Sequence, residues 1–228
     1  MVEILYKSVN AVVIYKPHGT PSQPDPSGDP DAMTLTSSEL SRIGEPSDIW
    51  LIHRLDRGVG GLMIFARNKK SAAELSRLVR DRLITKEYLA VVDGAPADGE
   101  MRDLLFKDSR TSRAYVVERP RGGVREAVLQ STTLATVDTA DGARSLVRVV
   151  LGTGRFHQIR AQLSHRAHPI LGDRKYGSRT VVRGGIALAA FHLEISLGDE
   201  RIDVTHLPSI TDQPWSLFSK TDYERALQ

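Results

Sequence analysis

The sequence contains no cysteine among its 228 residues. Structural disulfides, thiolate zinc sites and a cysteine nucleophile are thereby excluded, and with them the thiol-dependent RNA methylases and zinc deaminases. No stretch approaches the ~20 apolar residues that a membrane-spanning helix needs. The first residues, Met1-Val2-Glu3-Ile4-Leu5-Tyr6-Lys7, lack the basic segment and long apolar run of an export signal. The reading is a soluble, unexported protein that works in the cytoplasm without a membrane partner. Internal repeats, low-complexity tracts and a linker are also missing, so the expectation is a single domain over residues 1–228.

What is present begins with a 40% hydrophobic composition, enough for a substantial core, and a net charge of +3. That mild basicity is compatible with a polyanion without demanding one. Arginine is concentrated at Arg54, Arg57 and Arg67, at Arg77, Arg80 and Arg82, and at Arg155 and Arg160. A planar donor fork of this kind suits phosphate, although a solvated basic helix face accounts equally well for the middle group.

Strand patterns occur at Ala11 to Tyr15, Ile49 to Ile52, Leu62 to Ala66, Glu87 to Val92, Arg113 to Glu118, Arg125 to Val137 and Arg144 to Leu151. The last two are joined through the hairpin signal Asp141-Gly142. Two further strands are expected near Ile186 to Ala190 and Leu193 to Leu197. Helices are expected after the capping-box patterns Thr36-x-x-Glu39 and Ser71-x-x-Glu74, and over Phe156 to Ala167, where Phe156, Ile159 and Leu163 align. Strands dominate and the order is mixed, so the fold class is α+β: a mixed, mainly antiparallel sheet with flanking helices.

Chemistry is concentrated in His53-Arg54-Leu55-Asp56-Arg57, an acid between two arginines set between two apolar strands. A carboxylate there must be paired or lie near solvent, because an unpaired buried one costs several kcal/mol (roughly) and protonates instead. Arg160 falls on the apolar face of its helix, and burial of a guanidinium demands a carboxylate. Asp56 is one candidate partner; the alternatives are a structural acid such as Asp173, or a side chain that snorkels to solvent. Tyr88, in Lys86-Glu87-Tyr88-Leu89-Ala90, is either a core residue or a ring that packs on an acid or stacks on a planar base. The histidines His157, His165 and His168 offer no clear set of three ligands, and no metal site is expected.

Five motifs in register then carry a resemblance. Lys16-Pro17-x-Gly19, His53-Arg54-Leu55-Asp56-Arg57, Lys86-x-Tyr88-x-Ala90, Gly154-Arg155-x-His157-Gln158-Ile159-Arg160 and His168-Pro169-Ile170-Leu171-Gly172-Asp173-x-x-Tyr176-Gly177 together resemble the RluA family of pseudouridine synthases. The closing Leu188-Ala189-Ala190 and Leu207-Pro208 resemble it too, so the likeness covers nearly the whole chain.

The resemblance implies the pseudouridine synthase catalytic fold with a central active-site cleft, and isomerisation of uridine to pseudouridine in structured ribosomal or transfer RNA. Asp56 would be the nucleophile, attacking ribose C1′ or uracil C6. Arg160 would be its ion-pair partner, and Tyr88 the ring beside the base and acceptor of the C5 proton. Arg54 would help hold the flipped nucleotide, and Arg57, Arg155 and His157 would contact RNA or brace the loop. No cofactor, metal or ATP is called for. The expected form is a monomer of the catalytic domain without a separate N-terminal RNA-binding domain.

One segment departs from the family pattern. After Arg57 the family continues with an acid and Thr-Ser-Gly, where this chain has Gly58-Val59-Gly60-Gly61. Three polar side chains are missing, and two glycines add backbone freedom. Gln23 and Ala189 also stand where the family often has histidine. This motivates a second reading, a weak or inactive RNA-binding relative. A glycosidase using Asp56 would need a facing second carboxylate, and none presents itself.

Overall fold

The computed structural model describes residues 2–228. The first part of the chain forms β1 (Glu3–Lys7), β2 (Ala11–Lys16), α1 (Ala32–Arg42), β3 (Trp50–Leu51), β4 (Gly60–Ala66) and α2 (Lys69–Arg80). The middle forms β5 (Ile84–Asp93), β6 (Gly99–Asp108), β7 (Arg113–Val117), β8 (Val124–Thr139), β9 (Gly142–Leu151) and α3 (Gln158–His165). The last part adds β10 (Leu188–Leu197), β11 (Glu200–Thr205) and α4 (Lys220–Glu224). Two compact units divide these elements: Met1–Lys86 with Ala189–Pro208, and Glu87–Leu188 with Ser209–Gln228.

In the first unit β4 is the central strand, and all seven of its residues are buried. It runs antiparallel to β2 and β3 and parallel to β10, through Ala189↔Gly60 and Ala190↔Gly61. Enclosure on both faces explains why Leu62 to Ala66 reads as an unbroken apolar run rather than an alternating one. β1 and β11 extend the sheet antiparallel on β2 and β10. Leu75 and Leu78 of α2 pack with Val13, Leu62, Ile64 and Ile195 as one core.

The second unit is an antiparallel sheet in the order β5-β9-β8-β6-β7. The Asp141-Gly142 turn joins β8 to β9, with Gly142 at φ +107°. Leu105, Ala114 and Ala127 from this sheet pack with Ala161 of α3 and with Tyr176. Within the units the β4–β10 pairing is parallel and the others are antiparallel, which is the α+β architecture expected.

Local details differ from the sequence reading. α1 is capped by Asp31, whose carboxylate accepts from Thr34 N, and α2 by Asn68, which accepts from Ser71 N. Thr36 and Ser71 lie inside their helices, and their hydroxyls bond the carbonyls of Ala32, and of Asn10 and Asn68. α3 begins at Gln158, so Phe156 precedes it. The two expected final strands are one continuous β10. Its first four residues are buried and burial alternates from His192, so one strand shows two patterns.

Candidate active site

Asp56 lies on the irregular stretch between β3 and β4, half-buried, with Arg54 and Arg57 exposed on either side. Leu55 and Val59 are buried at 6% and 3% exposure and fasten both ends of the stretch to the core. The rest of the holding is done by residues 16–22. Ser22 Oγ donates to the Leu55 carbonyl at 2.7 Å and accepts from Leu55 N at 3.1 Å. Gly19 N donates to the Arg57 carbonyl at 2.8 Å, and Lys16 Nζ lies 3.4 Å from the same oxygen. His18 Nδ1 is 3.0 Å from the Gly58 carbonyl, and Val59 N closes the turn onto the Asp56 carbonyl at 3.0 Å. The carbonyls of residues 55–58 therefore each have a fixed partner, and none of these bonds comes from a side chain of residues 58–60.

Charge converges on the same turn. Lys16 is completely buried at the end of β2, and its ammonium also reaches the carbonyls of Thr20 at 2.7 Å and Pro17 at 3.1 Å. Burial pushes its pKa down to about 7; the Asp56 carboxylate pulls it back up, and Arg57 lowers it further. Lys16 was not singled out as a site residue from sequence, because a lysine closing an apolar strand ordinarily reaches solvent. Burial, with the neighbouring Lys86 charge, drives the His53 pKa down to about 3, and its Nε2 accepts from Ile64 N at 3.3 Å. His53 is thus a neutral bracket between the turn and β4.

The arginines beside Asp56 differ. Arg57 is committed to the 19–29 loop: it is paired with Asp29, bonded to Ser27 Oγ and the Gly19 carbonyl at 3.0 Å each, and 3.9 Å from Asp25. Arg54 is exposed.

In the second unit, Tyr88 is buried in β5 opposite Val149 of β9. Arg160, in α3, is buried with 9% exposure, and its Nε and one Nη meet the two oxygens of Asp173 at 2.6 and 2.9 Å. Asp173, one of the acids that the sequence offered to this guanidinium, thus holds it in bidentate form. Arg160 also lies over the Tyr176 ring, 5.0 Å from its centroid.

Tyr176 joins this group together. Its hydroxyl accepts from Ala114 N at 2.7 Å and is bonded to His157 Nδ1 at 2.9 Å. His157 holds a left-handed conformation, φ +52°, and stacks on Phe156 with centroids 3.8 Å apart. The neighbouring Gln158 is a loop brace: its Oε1 accepts from Thr153 Oγ1 and Arg155 N, and its Nε2 donates to the Val128 carbonyl. Arg155 Nε donates to the Glu126 carbonyl at 2.9 Å.

In the first unit, His192, Glu194 and Asp203 bring three potential metal ligands together on β10 and β11. Arg201 occupies the charge balance there, at 2.8 Å from Glu194 and 3.1 Å from Asp203. His168 Nδ1 is engaged with the Asp93 carbonyl.

Comparison with known proteins gives one answer. The profile of RNA pseudouridylate synthase matches residues 10–165. Ribosomal large subunit pseudouridine synthase D of Yersinia pestis is 33% identical over 180 residues, covering 78% of this chain and 53% of that protein. An uncharacterized RNA pseudouridine synthase of Haemophilus influenzae is 30% identical over 208 residues, covering 91% and 88%. The chain spans about half the length of the ribosomal relative (53%). Among solved structures, human RNA pseudouridylate synthase domain containing 4 superposes with a TM-score of 0.73 at 26% identity, covering 91% of this chain and 89% of that one. The corresponding human domain containing 1 gives 0.77 at 22% identity, covering 100% and 94%, which is a likeness of fold.

Proposed function

Because this chain belongs to the RNA pseudouridylate synthase family, within which it resembles the RluA group, we propose that it isomerises uridine to pseudouridine in structured RNA, with Asp56 as nucleophile. The observation that carries the reading is the turn itself: a half-buried carboxylate whose neighbours Leu55, Arg57 and Gly58 are pinned from residues 16–22, with the Lys16 charge close enough to act on it. A nucleophilic carboxylate has to stay ionised while water is kept from the reacting sugar.

In this reading Asp56 attacks C1′ or C6, the N-glycosidic bond breaks, and the detached uracil turns. C5 then bonds to C1′, Asp56 is released, and the C5 proton leaves to a base. Tyr88 is the proposed acceptor of that proton. Arg160 serves the same reaction, its orientation fixed by Asp173. Arg54, exposed beside the nucleophile, is the proposed contact to the flipped nucleotide. Extruding a uridine from a stack costs a few kcal/mol (roughly), which phosphate contacts offset. The name of the Yersinia relative makes large-subunit ribosomal RNA the first substrate to try.

The deciding experiment is tritium release from C5-labelled uridine in unmodified ribosomal and transfer RNA, comparing the wild type with Asp56→Ala. Release by the wild type alone supports the assignment, and equal release by both overturns it. RNA binding without release by the wild type favours the inactive relative that Gly58-Val59-Gly60 suggested. The external bracing of the turn argues against that second reading.

A further inference from the structure

Two successive glycines follow the Asp56 turn, and the structure gives them different reasons. At Gly61, φ is +117° and a Cβ would fall on the backbone of Ala190, so the parallel contact of β4 with β10 admits no side chain. Gly60 has no such backbone demand. The three atoms nearest to a Cβ at Gly60 all belong to the imidazole of His18, with Nε2 at 2.6 Å and Cδ2 at 2.7 Å. The His18 ring therefore occupies the volume that a side chain at position 60 would need.

The same ring makes the hydrogen bond that residues 58–60 do not supply. Its Nδ1 is 3.0 Å from the Gly58 carbonyl. A carbonyl can only accept, so Nδ1 carries the proton and Nε2 faces Gly60. Gly58 and Gly60 have no side chain, and Val59 is apolar and turned into the core at 3% exposure. Without an outside support, two glycines in a five-residue stretch would leave the turn mobile.

We propose that His18 is a positioning residue for Asp56: its imidazole holds the Gly58 carbonyl, fills the space over Gly60, and so fixes the turn that presents the carboxylate. The proposal rests on the reading of Asp56 as nucleophile. It also makes His18 and Gly60 an exchange pair, since a side chain at position 60 and the ring at position 18 compete for one volume.

The test is a double-substitution cycle on the full chain, reading kcat and KM for tritium release and the melting temperature. Gly60→Ala is expected to lower kcat roughly 10- to 100-fold with KM within about threefold, the scale that a displaced catalytic group produces. His18→Ala is expected to lower kcat in the same range. In the His18→Ala background, adding Gly60→Ala is expected to change kcat by less than about threefold, because the space is already open. His18→Asn, whose amide can donate to the Gly58 carbonyl, recovers part of the loss.

Should Gly60→Ala fail to fold, its recovery by His18→Ala is itself the expected coupling, and kcat of His18→Asn against His18→Ala then decides the positioning role. Independent effects of the two substitutions, or an unchanged kcat in His18→Ala, overturn the role of His18 while the wild type and Asp56→Ala still separate. Coupling in melting temperature without coupling in kcat also overturns it, leaving a packing contact. An inactive wild type instead removes the nucleophile reading beneath it.

Discussion

Arg160 and Asp173 form a two-pronged ion pair, with Nε and one Nη on opposite oxygens at 2.6 and 2.9 Å and side-chain exposures of 11% and 1%. Asp173→Asn keeps the shape and removes the charge from that edge of the guanidinium. Breaking a buried pair from one side costs about 3–5 kcal/mol. Urea unfolding of Asp173→Asn should show a loss of that order, and a loss below about 1 kcal/mol would show that the pair does not hold α3. Arg160→Lys should also destabilise, because a single ammonium cannot meet both oxygens.

Lys16 gives the protein an unusual alkaline limb. Its pKa is about 7 in the folded chain and 10.5 when exposed. Between those values the unfolded chain binds the extra proton, so stability rises with pH across the window; below pH 7 both states are charged and the penalty of burying the charge is fully present. Lys16→Met, compared with the wild type in urea at pH 7, 8, 9 and 10, should rise less steeply. Parallel slopes would refute the burial of a titrating lysine. Asp56→Asn should shift the Lys16 titration further down, since the Asp56 charge is what opposes the shift.

Glycine substitution separates backbone freedom from close approach. Gly44 and Gly61 both have positive φ, but a Cβ at Gly44 meets nothing within 4 Å. Gly44→Ala should cost about 1 kcal/mol, the conformational term alone. Gly61→Ala has to push the Ala190 backbone aside as well, and its loss should be several-fold larger, or prevent folding. Similar melting temperatures for the two variants would contradict the tight β4–β10 contact.

The two arginines beside Asp56 should respond differently in RNA binding. Arg54 is exposed, whereas Arg57 is bound to Asp29, Ser27 and Gly19 of the neighbouring loop. Arg54→Ala should weaken binding and lower the salt slope by about 1, the signature of one lost phosphate contact. Arg57→Ala should leave that slope nearer the wild-type value. A larger slope change at Arg57 would reverse the assignment.

Much of the fold was legible where burial and periodicity agree. β2, β4, β8 and β9 appeared as apolar or alternating runs, and the Asp141-Gly142 turn fixed one hairpin. β6 and β11 were not identified, because Gly99–Asp108 and Glu200–Thr205 are rich in charge; their signal was the alternation of buried Met101 and Leu105, and the single buried Ile202. The helix starts were misread because a four-residue capping pattern also occurs inside helices, where Thr36 and Ser71 turn their hydroxyls to backbone carbonyls instead.

The site was legible to the extent that its chemistry is local. Asp56 between arginines and a buried Arg160 in need of an acid could both be read from spacing. Lys16, His18 and Ser22 could not, since their role exists only when residues 16–22 are folded against 55–58. Tyr176 likewise links Ala114 and His157 across distant parts of the sequence.

The external bracing of residues 55–58 has a consequence for how such proteins diverge. Where a loop is held by its own hydroxyls, each hydroxyl is an address that evolution must keep. Here the carbonyls of residues 55, 57 and 58 are held from another stretch of chain, so the side chains after Asp56 carry no part of that hydrogen bonding.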